Sequence, residues 1–408
     1  MQQINQQRLL GWIDELGQIG AIDGGGVCRL ALSDEDKAGR DYVVGLMKSL
    51  GLEVKIDRIG NVLGLREGQE DLPPVMTGSH IDTVRTGGRY DGNLGVLAGL
   101  EVIATLNDLG IQSKRPLGVA FFTNEEGSRF APDMMGSLVF QGDLALETAL
   151  AVRGIDGTTV QENLQRIGYA GDWISEGQLV PTAFVELHIE QGPVLEEETI
   201  TIGAVQSVQG ISWTEYTFKG VSNHAGTTPM RLRHDAGYAA CQVASFLRAL
   251  AEKVGDDQVA TVGRMEFKPN LVNVIANHAV FTVDLRNTDN EKLKFSEQQT
   301  LSFINELCEK EGLECSSKTL ARFDPVIFND VLVNRIESFA KELGHSVKRM
   351  PSGAGHDAQM LARMCPSSMI FIPSKAGISH NVKEYSSPEH IEAGANILLN
   401  LLMELAQA

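Results

Sequence analysis

The groups best able to do chemistry in this chain fall in a few short stretches. In "TGSHIDTVRTGGRYDG", residues 77–92, His80, Asp82 and Asp91 share one glycine-rich segment. Imidazole and carboxylate are the ligands that divalent metals such as Zn²⁺ and Mn²⁺ accept. His80 and Asp82 are two apart and point to the same side if the segment is extended. A ligating imidazole usually donates its other N–H to a carboxylate, and Asp82 is the candidate acceptor. Asp91 follows a Gly87-Gly88 turn that can swing it back over the same place, where it could bridge two cations. "TNEEGSRF" adds the adjacent Glu125 and Glu126. Where a strand end bends, one can ligate while the other serves as general base, and the two roles must stay distinct because a ligating carboxylate has little basicity left. "ELHIEQG" and "GISHN" contribute His188 and His380. The chemistry these groups fit is metal-assisted hydrolysis.

Each signal alone has an ordinary reading: a histidine in a strand is more often a hydrogen-bonded structural residue, and paired glutamates are usually surface charge. Their placement argues otherwise. "PPVMTGSH", "PLGVAFFTNEE" and "TAFVELHIEQG" are short apolar runs ending in polar residues, as buried strands of a mixed or parallel sheet do. Between the first two, "NLGVLAGLEVIATLNDLG" reads as a helix closing at Gly110. Ligands of open α/β sheets bind at the carboxyl ends of the strands, which is where His80, Glu125, Glu126 and His188 fall. Helix starts are marked at Ser33, with Asp36 three residues on, and at Ser387-Pro388.

From about Gly210 the texture changes. "ISWTEYTFKGVSNHAGTTP" and "NVIANHAVFTVDLRN" read as strands and "DAGYAACQVASFLRALAEKV" as a helix, so a smaller α+β unit is inserted here. The expected division is a catalytic domain of residues 1–211 and 328–408, with the insert at 212–327. After it the pattern returns to helix in "VLVNRIESFAKELG" and strand in "SSMIFIPS".

The 408 residues carry 35 Lys and Arg against 53 Asp and Glu, a net charge of −18 with no basic block, which excludes a phosphate-backbone partner. No run approaches the roughly 20 apolar residues of a membrane span. The opening "MQQINQQRLLGWIDELGQIG" has its apolar residues at helical spacing and no signal-peptide pattern. The five cysteines are scattered and form no CxxC pair. A disulfide framework is therefore not expected, and a cytoplasmic location is.

"GSHIDTVRTGGRYDGNLGVLAG", "NEEGSRF", "VELHIEQGPVLE", "NHAGTTPM", "NVIANHAVFTVDLR", "SGAGHDAQ" and "MIFIPSKAGISHN" together resemble the amidase (hydantoinase/carbamoylase) branch of the aminoacylase/carboxypeptidase metallohydrolases. That branch includes N-carbamoyl-L-amino acid hydrolases, β-ureidopropionases and allantoate amidohydrolases. The resemblance runs over nearly the whole chain with its motifs in order. It implies an α/β fold in which a mixed-sheet di-metal catalytic domain carries an inserted α+β lid and dimerisation domain.

By position, the resemblance makes His80, Asp91 and His188 the ligands of one metal and Asp91, Glu126 and His380 those of the other, Zn²⁺ or Mn²⁺, with Glu125 the general base. His224 would reach an active site across a homodimer and support the oxyanion. Asn273 and Arg286 match substrate-binding positions, Arg286 suited to a bidentate grip on a carboxylate. Gln191 and His356 are expected to line the pocket, while His234, His278, His345 and His390 match no catalytic motif. The expected reaction hydrolyses an N-carbamoyl-L-amino acid to the amino acid, CO₂ and ammonia. The alternative is allantoate hydrolysis, whose second ureido group needs extra polar partners that Ile211 and Ser212 do not offer. A non-catalytic metal-binding assembly protein is a remote alternative, since the base and every ligand are present.

Overall fold

The computed structural model describes residues 1–255 and 258–408. The chain forms two compact units, Met1–Gln206 with Ile327–Ala408, and Ser207–Val326. In chain order the strands of the first sheet are β1 (Glu53–Ile56), β2 (Val62–Arg66), β3 (Val75–His80), β4 (Leu117–Phe122), β5 (Ala183–Ile189) and β6 (Ile202–Val208). The second unit contributes β7 (Gly210–Lys219), β8 (Val259–Thr261), β9 (Met265–Lys268), β10 (His278–Asn287) and β11 (Glu314–Phe323). After it, β12 (Val326–Ile327), β13 (Val347–Ser352) and β14 (Ser367–Ile372) rejoin the first sheet.

The first sheet runs β1-β2-β4-β3-β5-β14-β6-β12, with β13 on β6. Its centre, β4-β3-β5-β14, is parallel, and the flanking β1–β2, β2–β4 and β14–β6 pairs are antiparallel. Every residue of these four central strands is buried, so they read as apolar runs without alternation. Helices Asn93–Asp108 and Pro388–Gln407 pack against them, and helix Gln6–Gln18 packs on those two helices. The last begins where the sequence indicates, with Ser387 capping the N–H of His390 and Pro388 in the first turn. Ser33 likewise caps helix Asp34–Ser49.

The second sheet, β11-β7-β10-β8 with β9 on β10, is antiparallel among the described residues. Burial along β10 alternates strictly, as in a sheet covered on one face. Ala279, Phe281, Val283 and Leu285 meet helices Ala236–Val254 and Asn290–Glu311 in a core with Phe218, Val243 and Ile304. Thr282, Asp284 and Arg286 face the other way. The sequence pattern predicts a strand from Asn273, but β10 begins at His278. Asn273 lies in the preceding loop, where its carbonyl accepts the N–H of Ala225. No described helix is long and apolar enough to cross a membrane.

Candidate metal centre

β3, β4 and β5 lie side by side in parallel, so their carboxyl ends open on one edge of the sheet. His80 is the last residue of β3, and His188 is the next to last of β5. β4 stops at Phe122, and Asn124 then takes a left-handed conformation (φ 57°), its side-chain amide donating to the carbonyls of Phe130 and Pro132. That turn carries Glu125 and Glu126 out of the sheet plane. Asp91 reaches the same edge on the loop after β3. Gly92 behind it has φ 67°, and a Cβ there would lie 2.4 Å from the His80 ring, so glycine is required for imidazole and carboxylate to meet.

The convergence is tight. Asp91 Oδ1 lies 3.4 Å from His80 Nε2 and 3.2 Å from His188 Nε2. Its Oδ2 lies 3.4 Å from His380 Nε2, which is 3.3 Å from Glu126 Oε2. Glu125 Oε2 is 3.4 Å from His80 Nε2. Two groups therefore share Asp91: His80, Asp91 and His188, and Asp91, Glu126 and His380, each with its ligand atoms within 4.8 Å of one another. A third cluster, Glu186, His188 and His356, is equally compact. Its atoms are already used, because Glu186 accepts from Ser79 Oγ at 2.6 Å and Ala358 N–H at 2.8 Å, and His356 Nε2 lies 2.9 Å from Ser352 Oγ.

The hydrogen bonds on the far side of the His80 and His188 rings fit the first group to a metal. His80 Nδ1 meets the Asp82 carbonyl at 2.9 Å and His188 Nδ1 the Ile189 carbonyl at 2.8 Å. A carbonyl only accepts, so each neutral ring carries its proton on Nδ1 and leaves a lone pair at Nε2 on the Asp91 side, where that of His188 also accepts the N–H of Gly92 at 3.1 Å. Lone pair facing carboxylate is repulsive unless a cation lies between. The charges point the same way. Burial, reinforced by Asp357, Glu126 and Asp91, holds Glu125 well above the ordinary carboxylate range. Burial and Asp91 push Glu126 up to about 8. Hydrogen bonding to Asp91 lifts His380 to about 9. Protonated rings can supply the same positive charge as a cation: against its own burial, Asp91 is held well below its ordinary value by His188, His380 and His80. Buried acids packed this closely need positive charge, and the imidazole and carboxylate donors suit Zn²⁺ or Mn²⁺.

Two expectations change. Asp82 was expected to offer its carboxylate to His80, but the chain bends after β3 and the main-chain carbonyl takes that bond. The Asp82 carboxylate instead accepts the N–H groups of Glu125 at 3.2 Å and Glu126 at 3.3 Å, fixing the glutamate pair. His356 was expected to line a pocket, but it is 1% exposed and packs edge-to-face behind His188, with ring centroids 4.5 Å apart. Burial, and after it His188, keeps its pKa well below the usual imidazole value.

Gln191 joins the centre through its side-chain amide, 2.8 Å from Asp91 Oδ2. In the second unit His224 and Asn273 are exposed. His224 Nδ1 accepts the N–H of Gly226 (3.0 Å) and of Thr227 (3.2 Å), which leaves Nε2–H as an outward donor in the neutral ring. Arg286 pairs with Asp284 at 3.0 Å and lies over the Trp213 ring, 5.7 Å to its centroid. Ile211 stands opposite Arg286 across β7–β10 and so shares its face, whereas Ser212 opposes Leu285 on the covered face.

Sequence reasoning missed Glu384 and Ser379, which bond Asp91 from the segment that carries His380. It also missed the buried carboxyls Glu186 and Asp357, the latter pushed to about 8 by burial and Glu186. Glu384 four residues after His380, and Asp357 next to His356, were the available signals.

Fold and donor set together define an α/β chain with a candidate metal centre at the carboxyl edge of a mixed sheet. The chain belongs to the metal-dependent Peptidase family M20/M25/M40, whose family model matches residues 76–404. It is 40% identical over 405 residues to an N-carbamoyl-L-amino-acid amidohydrolase of Rhizobium meliloti, covering 99% of this chain and 97% of that one. It is 36% identical over 397 residues to the allantoate amidohydrolase of Bacillus subtilis, covering 97% and 96%. Among solved structures, an amidase of the hydantoinase/carbamoylase family from Burkholderia multivorans superposes with a TM-score of 0.96 at 45% identity, covering 100% of this chain and 99% of that one.

Proposed function

We propose that the chain is a metal-dependent amidohydrolase that cleaves the ureido group of an N-carbamoyl-L-amino acid, consuming one water and releasing the L-amino acid, CO₂ and ammonia. The observation that carries this reading is Asp91, whose two oxygens face two separate donor groups, with Glu125 beside the first of them at 3.4 Å from His80 Nε2. His80, Asp91 and His188 would hold one divalent ion, and Asp91, Glu126 and His380 a second, Zn²⁺ or Mn²⁺. Bound there, the metal supplies Lewis acidity that polarises a carbonyl and acidifies water.

The chain's own groups do the rest. Glu125 takes the proton of the attacking water and passes it to the departing nitrogen. Burial among carboxylates raises its basicity for that transfer. His224, its proton on Nε2, donates to the developing oxyanion. Arg286 grips the substrate carboxylate in exchange for Asp284, and Asn273 adds a hydrogen bond. The second unit acts as lid and dimerisation domain, delivering these three groups and excluding water.

Allantoate hydrolysis is the second reading, supported by the Bacillus subtilis relative. The apolar Ile211 opposite Arg286 favours an amino-acid side chain over a second ureido group. Ammonia release by chelator-stripped, Mn²⁺-reconstituted protein, offered N-carbamoyl-L-amino acids and allantoate separately, tests the choice. Turnover of the carbamoyl compounds is expected, and turnover of allantoate alone would replace the first reading with the second.

A further inference from the structure

Asp91 sits on a loop, so the aim of its carboxylate depends on what holds that loop. Glu384 is 6% exposed, and its Oε1 accepts the backbone N–H of Tyr90 at 3.0 Å and of Asp91 at 3.1 Å. Its Oε2 lies 2.9 Å from Ser379 Oγ, and that hydroxyl lies 2.9 Å from Asp91 Oδ2. One carboxyl group thus grips the Asp91 backbone directly and its side chain through a single hydroxyl. The approach is so close that a Cβ at Gly88 would fall 2.1 Å from Glu384 Oε1. The N–H of Glu384 donates to the Asn381 carbonyl at 3.0 Å, closing the short segment that also carries His380 and Ser379.

We propose that Glu384 is a positioning residue for Asp91, acting with Ser379 to keep Oδ1 toward His80 and His188 and Oδ2 toward His380. The inference rests on the metal-centre reading above. A tie that merely joined two loops would affect folding alone, whereas a positioning residue also sets metal affinity. The geometry asks for an acceptor at Oε1 and a partner for Ser379, and glutamine provides both. Its amide oxygen accepts the two backbone N–H groups, and its NH₂ donates to Ser379 Oγ, leaving that hydroxyl's hydrogen for Asp91. Alanine provides neither and strands the buried N–H of Asp91 and the part-buried N–H of Tyr90.

The test titrates Mn²⁺ into the chelator-stripped unaltered chain, Glu384→Ala, Glu384→Gln and Ser379→Ala by calorimetry, with thermal unfolding of each metal-free protein alongside. Glu384→Ala is expected to lose about 10–100-fold in Mn²⁺ affinity, as outer partners of metal ligands do, with Glu384→Gln within about threefold of the unaltered chain and Ser379→Ala between them. A folded Glu384→Ala that binds Mn²⁺ as the unaltered chain does would overturn the proposal, as would Glu384→Gln falling as far as alanine. If Glu384→Ala does not fold, unchanged affinity in Ser379→Ala overturns it, and reduced affinity there with retention in Glu384→Gln supports it. An unaltered chain that binds no Mn²⁺ would remove the metal-centre reading itself, a result separable from all the others.

Discussion

The two sheets handle their polar residues in opposite ways. In the first, the central strands are buried along their whole length, so His80, His188, Glu125 and Glu126 gather where the strands end. In the second, one face of β10 is less covered, and Asp284 and Arg286 stand on that face within the strand. The first arrangement brings its groups into mutual contact within a single unit. The second leaves His224 and Asn273 exposed at the surface of theirs. Buried convergence is thus complete within the fold of one unit, while the second unit presents its groups at its own surface.

The contrast predicts that substitutions of the metal-facing ligands in the first unit change metal binding, whereas those in the second unit change turnover or substrate affinity at constant metal content. The largest effect belongs to Asp91→Ala, which removes the carboxylate common to both donor groups. Metal content by elemental analysis should collapse and ammonia release should fall to background. An Asp91→Ala protein that keeps its metal would break the comparison at its centre.

Glu125→Gln comes next, and it should leave metal content intact while kcat drops about 10²–10⁴-fold, the usual contribution of a positioned general base. The pH profile of the unaltered chain sharpens this. Burial, Asp357, Glu126 and Asp91 favour the protonated carboxyl of Glu125. The base must be ionised to work, so kcat/KM should rise with pH along an acid limb lying above the ordinary glutamate value of about 4.3. Glu125→Gln should abolish that limb.

In the second unit, His224→Ala should lower kcat about 10²–10³-fold, as loss of an oxyanion donor does, with no change in metal content. The smallest effect is expected for Arg286→Lys. It loses the two-pronged grip on a carboxylate and should raise KM about 10–100-fold, the equivalent of one charge-assisted hydrogen bond, at nearly constant kcat. Loss of metal in either variant would mean that the two regions are not separable in this way.

How much of this was legible in sequence follows from the same contrast. Burial on both faces gives β3, β4 and β5 unbroken apolar runs that stop abruptly at polar residues, so His80, the glutamate pair and His188 could be placed at strand ends. β1 carries no comparable signal, because its residues are only partly buried or exposed. For Asp82 the logic was sound that His80 needs an acceptor on its second nitrogen. The bend after β3 decides which oxygen of Asp82 supplies it, and a bend of that kind has no periodicity to read. His356 shows the limit of motif reading, because a histidine in a glycine-rich stretch gives no sign of whether it faces solvent or packs behind another ring. Glu384 was hidden differently. Its partners Tyr90 and Asp91 are remote in sequence and are met through backbone N–H groups, which are the same for every residue type except proline.

The most direct test of the shared-carboxylate centre is a stepwise addition of Mn²⁺ to the chelator-stripped chain, reading bound metal and ammonia release from an N-carbamoyl-L-amino acid in the same samples. Two ions per chain should bind, with turnover absent from the metal-free protein and following occupancy of the sites. Ammonia release by a chain shown to be free of metal would contradict the account.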